Sequence, residues 1–462
     1  MNRTIHLILI LGLLGCSFWG TSCSPTRGPV PSVESYLETS PGEQLPYARD
    51  EEWWKHYGDE QLNNLVETAL KNNIDYQKTI IAILKSKYHA RLADADLLPS
   101  LSSDSTASRT KETRDGTQTQ HSYTSDIQIR YEVDLWLKLS DTASAREWEY
   151  HASELDREAA KLILITSAIE YYFHLSYLDS ALQIAQESLN NYQAIYSSTK
   201  SKHQFGKVSL LEVEQALQSV LSAERTCFEL SLQQQENLEA LRRLLNLRPD
   251  ESLDIGWPDI HGNYFLDIDL EVPMAVLVHR PDLRAAEYRL QSAFKDIRAA
   301  QKSWLPTISL QAALSGTAEH ARRVWDAPQA LGALSLSLPF LDWKTIHWNI
   351  KLAEAEYDEV KLNYEKLLNE ALNETATAVY NTKITKHLLT NAEQRFNQAE
   401  KISNIYQHRY SLGKAEFSDW LEAVNQSFDA KQQLVQARYE LLKAENTVFR
   451  VMAGRYTANS NK

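Results

Sequence analysis

Apolar residues recur at steps of three and four along four stretches that contain neither glycine nor proline: Leu137 to Phe205, Lys207 to Arg248, Trp343 to Leu412 and Lys414 to Ala453. Leu352, Ala355, Tyr357, Val360, Tyr364, Leu367 and Leu368 illustrate the spacing, which gives a helix one apolar stripe. The stretches are rich in Ala, Leu, Glu, Gln and Lys, all good helix formers. A helix filling the longest of them runs about 100 Å at ~1.5 Å per residue, deeper than any globular core. Such helices belong to a coiled coil or an extended helical tube. Their abundant Glu and Lys then form a solvated face.

A different texture precedes each of the two longest stretches. After Pro99 comes the polar, helix-poor run Ser100 to Thr110, and Ile127-Gln128-Ile129-Arg130-Tyr131-Glu132-Val133 then alternates with period two. Thr307 to Ala312 and Leu334 to Leu338 alternate in the same way. Turn-like segments, Lys111–His121 and Gly316–Gln329, separate the members of each pair. The pattern predicts one hairpin over about 99–136 and another over about 306–341. Four strands of about ten residues are too few to close a membrane barrel, and an open sheet edge is prohibitively costly in lipid. Three chains supply twelve, a workable even number.

The two textures repeat at a constant offset of 207 residues. Leu70 answers Leu277, Asp75 answers Asp282, Leu98-Pro99 answers Leu305-Pro306, Trp136 answers Trp343, Gly206-Lys207 answers Gly413-Lys414 and Ala216 answers Ala423. The chain is a duplicated unit of helix, polar hairpin, very long helix, Gly-Lys turn and helix. The repeats span 61–248 and 274–454. An extended segment, 16–60, precedes them; a connector, 249–273, is expected to pack as a surface link, and a short polar tail, 455–462, to fray.

Net charge is −13, so the chain has no basic field for nucleic acid. No apolar run reaches the roughly 18–20 residues of a membrane helix, so any crossing has to be a β-barrel. Met1-Asn2-Arg3 followed by the apolar Ile5 to Leu14 reads as a targeting segment, 1–15 or 1–22. Leu13-Leu14-Gly15-Cys16 forms a lipobox, and Gly20-Thr21-Ser22-Cys23 a second one. Leu13, three places before Cys16, favours the first; the proline-rich stretch Pro25, Pro29, Pro31 favours the second. Either cysteine would carry covalent N-acyl and diacylglycerol lipid, an ordinary secretory signal being the alternative. Several acyl chains on one residue make a stable anchor where one chain is marginal. Cys227 lies in a helical pattern and reads as a small buried hydrophobe. His279, His347 and His408 show no metal-ligand spacing, and no cofactor, metal or nucleotide motif or nucleophile arrangement marks an enzyme.

Several motifs in order carry a family resemblance: Trp53-Trp54-x-x-Tyr57-x-Asp59-x-x-Leu62-x-x-Leu65 with Ala69-Leu70-x-x-Asn73, then Tyr131-Glu132-Val133-Asp134-Leu135-Trp136, Arg280-Pro281-Asp282-Leu283-Arg284-Ala285-Ala286-Glu287, Trp304-Leu305-Pro306 and Leu338-Pro339-Phe340-Leu341-Asp342-Trp343. Over residues 45–455 the chain resembles the outer-membrane efflux family, the TolC-like outer-membrane factors, in their lipoprotein branch. The resemblance implies a mainly α fold with a small membrane β-barrel: a homotrimer with a twelve-stranded barrel and a long α-helical periplasmic tunnel. It implies a lipid-anchored place in the outer membrane of a Gram-negative bacterium; Ser17 and Ser24 follow the two cysteines, rather than the Asp that retains lipoproteins in the inner membrane. It further implies the exit duct of a tripartite efflux pump for small molecules or drugs. The partners are a periplasmic adaptor (membrane fusion) protein, an inner-membrane transporter of RND type and outer-membrane lipid. A type I protein-secretion exporter is one alternative, and a non-conducting coiled-coil envelope lipoprotein, which has no use for two hairpins, is another.

Tyr410-Ser411-Leu412-Gly413-Lys414-x-Glu416-Phe417-Ser418-Asp419-Trp420-Leu421-Glu422 resembles the family's periplasmic tip. By that resemblance Asp419 and Glu422 stand at the carboxylate ring of the closed entrance, six in a trimer, which favours cations. Glu212, the counterpart of Asp419, resembles a gate carboxylate that pairs with an arginine, but Ala415 occupies the arginine position. Closure then falls to Tyr410 and apolar packing. The turns Gly206-Lys207 and Gly413-Lys414 are candidates for docking the adaptor. Against these roles stand a solvated helix start, where carboxylates favour the dipole, and turns that are structural only.

Overall fold

The computed structural model describes residue 32 and residues 47–458, apart from 112–118 and positions 252, 254, 263, 267 and 273. Strand β1 (Tyr47–Asp50) and a short 3-10 helix (Trp53–Tyr57) lead into α1 (Glu60–Asn72) and α2 (Ile74–Ala95). Then follow β2 (Ser100–Lys111), β3 (Thr119–Val133), α3 (Lys138–Gln204) and α4 (Leu210–Leu244). The second repeat holds α5 (Pro281–Lys302), β4 (Thr307–Ala318), β5 (Gln329–Ser337), α6 (Trp343–Ser411) and α7 (Phe417–Val451), and β6 (Arg455–Ala458) ends the described chain. The two repeats run through their elements in the same order with one difference. The first opens with two helices, because Asn73 takes an extended conformation and its side chain caps α2 through Tyr76 N. The matching stretch before α5 is a 3-10 helix, Met274–His279.

The long helices have 67 and 69 residues, each about 100 Å at ~1.5 Å per residue. At the far end α3 lies against α4 and α7, and α7 against α6. At the near end the sheet runs β2-β3-β4-β5, antiparallel throughout. The register places Leu101, Ile127, Ile129, Tyr131, Leu310, Leu314 and Leu334 on one face. Asp104, Asp126, Gln128, Arg130, Glu132 and Gln311 share the other. Leu101 is 70% and Leu334 69% exposed, so none of the described residues covers them on the apolar face. Trp136 Nε1 donates to the Pro306 carbonyl at 2.8 Å, fastening the base of one hairpin to the other. Beneath, buried Asp141 at the start of α3 meets three cations of α5: Lys295 and Arg298 at 3.3 Å each, and Lys302.

Three sequence expectations need correction. The expected turn segments are shorter than their composition suggests: β3 begins at Thr119 and β4 continues through Ala318, because backbone pairing of Lys111 with Thr119 and of Tyr123 with Ala318 outruns the side-chain alternation. Gly316 belongs to β4; the following loop folds back so closely that a Cβ there would strike the Val324 carbonyl. The described part of the tail, Arg455–Ala458, is a strand rather than a frayed end. Arg455–Ala458 pairs antiparallel with Tyr47–Asp50, Tyr456 is buried, and Trp53–Tyr57 is a 3-10 helix, so the described parts of the expected extended segment and tail are folded onto each other; 16–31, 33–46 and 459–462 lie outside the described residues. The connector packs more deeply than its loop-like punctuation suggests. Ile260, Leu266, Ile268 and Val272 enter the main core, and Leu266 N donates to the buried Glu445 carboxylate at 3.0 Å.

That core sits midway along the molecule. Trp53, Trp54 and Tyr57 pack with Leu62, Leu65, Phe173 and Phe449, the two indoles edge to face at 5.5 Å. Each such side chain contributes roughly 1.5–3 kcal/mol of burial. Asp59 holds two roles: its carboxylate caps α1 through Gln61 N and Leu62 N, and it accepts from Tyr172 Oη on α3 at 2.7 Å. Cys227 is half-buried, and burial raises its thiol pKa.

Candidate functional site at the helical tip

Both long helices end in the same closure. Gly206 has φ +68 and Gly413 φ +67, left-handed values that a side chain resists. Lys207 N donates back to Lys202 O at 2.9 Å and Lys414 N to Arg409 O at 2.8 Å, the six-to-one bond of a Schellman motif. Just before each glycine an apolar side chain stands in solvent, Phe205 at 79% exposure and Leu412 at 55%.

The helices that follow begin differently. In α4, Ser209 and Glu212 form a capping box, each side chain meeting the other's backbone N–H at 3.4 Å. At α7 the N-cap is Glu416, whose side chain caps nothing. Asp419 and Glu422 are exposed on the first two turns of α7, three residues apart and thus on one face. Gln426 donates to Glu422 at 2.8 Å. Glu212 therefore spends its carboxylate on its own helix start.

Tyr410 is held within the chain. Its ring stacks on Trp420 at 4.9 Å and 13°, meets the edge of Phe417 at 5.8 Å, and lies under the Lys202 ammonium, 5.0 Å from the ring centre. These contacts clamp the end of α6 to α7 and to the end of α3. A cleft of about 650 Å³ beside the clamp is lined by Lys202, Lys207, Glu212, Tyr410, Gly413 and Ala415, among others. So the fold gathers Glu212, Tyr410, Lys207 and Gly413 around one cleft. Glu422 faces an adjoining groove bounded by α3, α4 and α7, which shares Gln215 and Ser418 with the cleft, while Asp419 is exposed outside both. Sequence reasoning missed Lys202, whose only cue is that it stands one repeat offset before Arg409, and the aromatic partners Phe417 and Trp420. It also missed Asp429, which lines the groove with Glu422. Burial, then the nearby Glu422 charge, raises the Asp429 pKa; burial above all pushes Tyr192, in the same groove, up to about 12.

A sheet with one bare apolar face at the end of helices about 100 Å long defines a class of envelope channel. The family described as outer membrane efflux protein matches twice, over residues 65–247 and 272–454, and the chain belongs to it. It is an outer membrane efflux protein. The chain is 35% identical to toxin and drug export protein A of Aggregatibacter actinomycetemcomitans, covering 98% of both chains. It is 27% identical to the pyoverdine export outer membrane protein OpmQ of Pseudomonas putida, covering 100% of this chain and 99% of that one. Among solved structures, the outer-membrane channel OprN superposes with a TM-score of 0.81 at 22% identity, over 89% of this chain and 94% of that one.

Proposed function

We propose that three copies of this chain form the exit duct of a tripartite efflux pump for small molecules. The observation that carries the reading is the sheet: four strands with unpaired edges at β2 and β5 and an uncovered apolar face. In lipid those edges have to pair, and three copies close a twelve-stranded barrel. Exposed apolar stripes on the helices offer matching seams between protomers: Ile81, Tyr88 and Leu92 on α2, Leu221, Phe228 and Leu232 on α4, and Tyr380, Ile384 and Leu388 on α6. The polar sheet face and the helices then surround one continuous lumen.

Asp419 and Glu422 ring the inner entrance, Tyr410 with its aromatic partners holds it shut, and Glu212 supports the first tip. The exposed turns at Gly206-Lys207 and Gly413-Lys414 dock a periplasmic adaptor, which joins the duct to an RND-type inner-membrane transporter. Acylation at Cys16 or Cys23, both outside the described residues, adds the lipid anchor. The names of the relatives, toxin and drug export and pyoverdine export, support small-molecule cargo. The first of them also names a toxin, which keeps protein export as a second reading.

Single-channel conductance of the purified trimer in planar bilayers tests the duct and its entrance together. Small cation-selective openings in the wild type, with selectivity lost in Asp419→Ala plus Glu422→Ala, are the expected result. Unaltered selectivity removes the acidic ring; a folded trimer that never conducts, even with its glycine turns loosened, removes the duct.

A further inference from the structure

The groove bounded by α3, α4 and α7 has a volume of about 520 Å³ and a lining without a single Lys, Arg or His. Two carboxylates, Glu422 and Asp429, stand seven residues apart on α7, one face and about 10 Å of helix rise between them. Asn425 lies between, fixed by the Tyr192 hydroxyl, which donates to its Oδ1 at 2.6 Å. The rings of Tyr192 and Phe428, tilted against each other at 5.9 Å, add flat apolar surface. The opposite wall on α4 is hydroxyl and carboxamide, as at Gln218 and Ser222.

The α4 wall of the groove also turns away from the apolar stripe proposed as a seam. At ~100° per residue, Gln218, Ser222 and Thr226 stand roughly 60°, 100° and 140° round α4 from the exposed Leu221–Phe228–Leu232 stripe. An occupant of this lining has to be cationic at two places about 10 Å apart, apolar between them to lie along the aromatic rings, and narrow. Metal ions satisfy the charge but not the apolar rings; a monoamine satisfies one end only.

We propose that the groove is a binding subsite for linear organic dications, diamines and polyamines, with Glu422 and Asp429 each receiving one ammonium group. The proposal rests on the duct reading for its role, as a wall site that cationic cargo visits on the way out, and on the groove alone for its binding. Two positive charges entering relieve the repulsion between the carboxylates, and cation–π contact with Tyr192 adds to the ion pairs.

Calorimetric titration of the full-length trimer in detergent with diaminobutane, diaminooctane and octylamine tests it. Diaminooctane should bind about fivefold tighter than octylamine or the short diamine, the worth of one partly exposed ion pair. Asp429→Asn should bring diaminooctane down to the octylamine level, while Glu214→Gln, an acid of α4 outside the groove, should change nothing. Equal binding of all three amines, or binding indifferent to Asp429→Asn, overturns the subsite. Diaminooctane added during bilayer recording separates the two readings. A trimer that conducts but does not bind overturns the subsite and keeps the duct; one that binds with the expected chain-length dependence but never conducts keeps the subsite and overturns the duct.

Discussion

Replacing Tyr410 by alanine removes the ring that joins three helices. The stack on Trp420 at 4.9 Å and the edge contact with Phe417 at 5.8 Å are worth about 0.5–1.5 kcal/mol each beyond burial. The Lys202 ammonium, 5.0 Å from the ring centre, adds about 0.5–1 kcal/mol. Because the three share one ring and are not additive, about 2 kcal/mol is a fair total, roughly a thirtyfold change in an equilibrium constant. If the clamp exists only while the entrance is shut, Tyr410→Ala should raise the open-to-shut ratio of the trimer in planar bilayers by about that factor. Tyr410→Phe should behave nearly as wild type: it keeps every ring contact and loses only a Lys202–hydroxyl approach of 3.5 Å, too long for a strong hydrogen bond. Lys202→Met should fall between, at a few-fold. The reasoning fails if a folded Tyr410→Ala trimer keeps wild-type dwell times, since the cluster is then packing common to both states. It fails equally if Tyr410→Phe opens as much as Tyr410→Ala.

Gly206→Ala and Gly413→Ala should each lower stability by about 1–2 kcal/mol in denaturant titration; a Cβ meets nothing within 4 Å at either, so the loss is backbone strain alone, and asparagine should cost less. Asp141→Ala should cost about 1–3 kcal/mol in denaturant titration, because Lys295, Arg298 and Lys302, all part-exposed, lose their shared counter-charge. The raised pKa of Asp429 means that the folded chain holds this proton more readily than the unfolded chain, so its charged form weakens the fold and stability falls as pH rises through the folded value. Asp429→Asn should therefore melt above wild type at neutral pH, with the advantage shrinking as pH drops toward about 4, the unfolded aspartate value; no advantage at neutral pH defeats the assignment.

Local pattern made the long-range architecture legible. The absence of glycine and proline marked helices that run Lys138–Gln204 and Trp343–Ser411, and alternation marked strands whose register puts Ile127 opposite Leu314. What stayed hidden depended on partners distant in sequence. Nothing in Arg455 to Ala458 announces a strand, because its partner lies some four hundred residues away at Tyr47 to Asp50. The connector has the punctuation of a surface loop, yet a buried Glu445 on α7 receives its backbone. At the tip, turn and carboxylates are visible as motifs, whereas the clamp needs Lys202 from one repeat and Tyr410 from the other. Asp429 escaped because a carboxylate on an exposed helix face looks alike whether it meets water or a groove.

The two tips began as copies, and their present differences point in one direction. The backbone is shared to within a degree at Gly206 and Gly413, so the reversal itself is under the tighter constraint. The capping chemistry has separated. Ser209 and Glu212 satisfy orphan N–H groups of α4 with side chains, which stabilises a helix start by about 1 kcal/mol and holds it in place. At α7 the corresponding Glu416 and Asp419 give up that closure, leaving both carboxylates exposed and the helix start without a side-chain cap. A tip that forgoes its cap is easier to move, and its exposed carboxylates are available to ions or partners. The stabilisation it lacks locally comes instead from Phe417, Trp420 and Tyr410, contacts made across helices and therefore breakable by displacing one of them. Transplanting the box by Glu416→Ser with Asp419→Glu isolates this division of labour. The double substitution should stiffen α7, seen as slower amide exchange in its first turn, and should make the shut state longer-lived in bilayers. Slower exchange with unchanged dwell times would place the moving part elsewhere than the second tip.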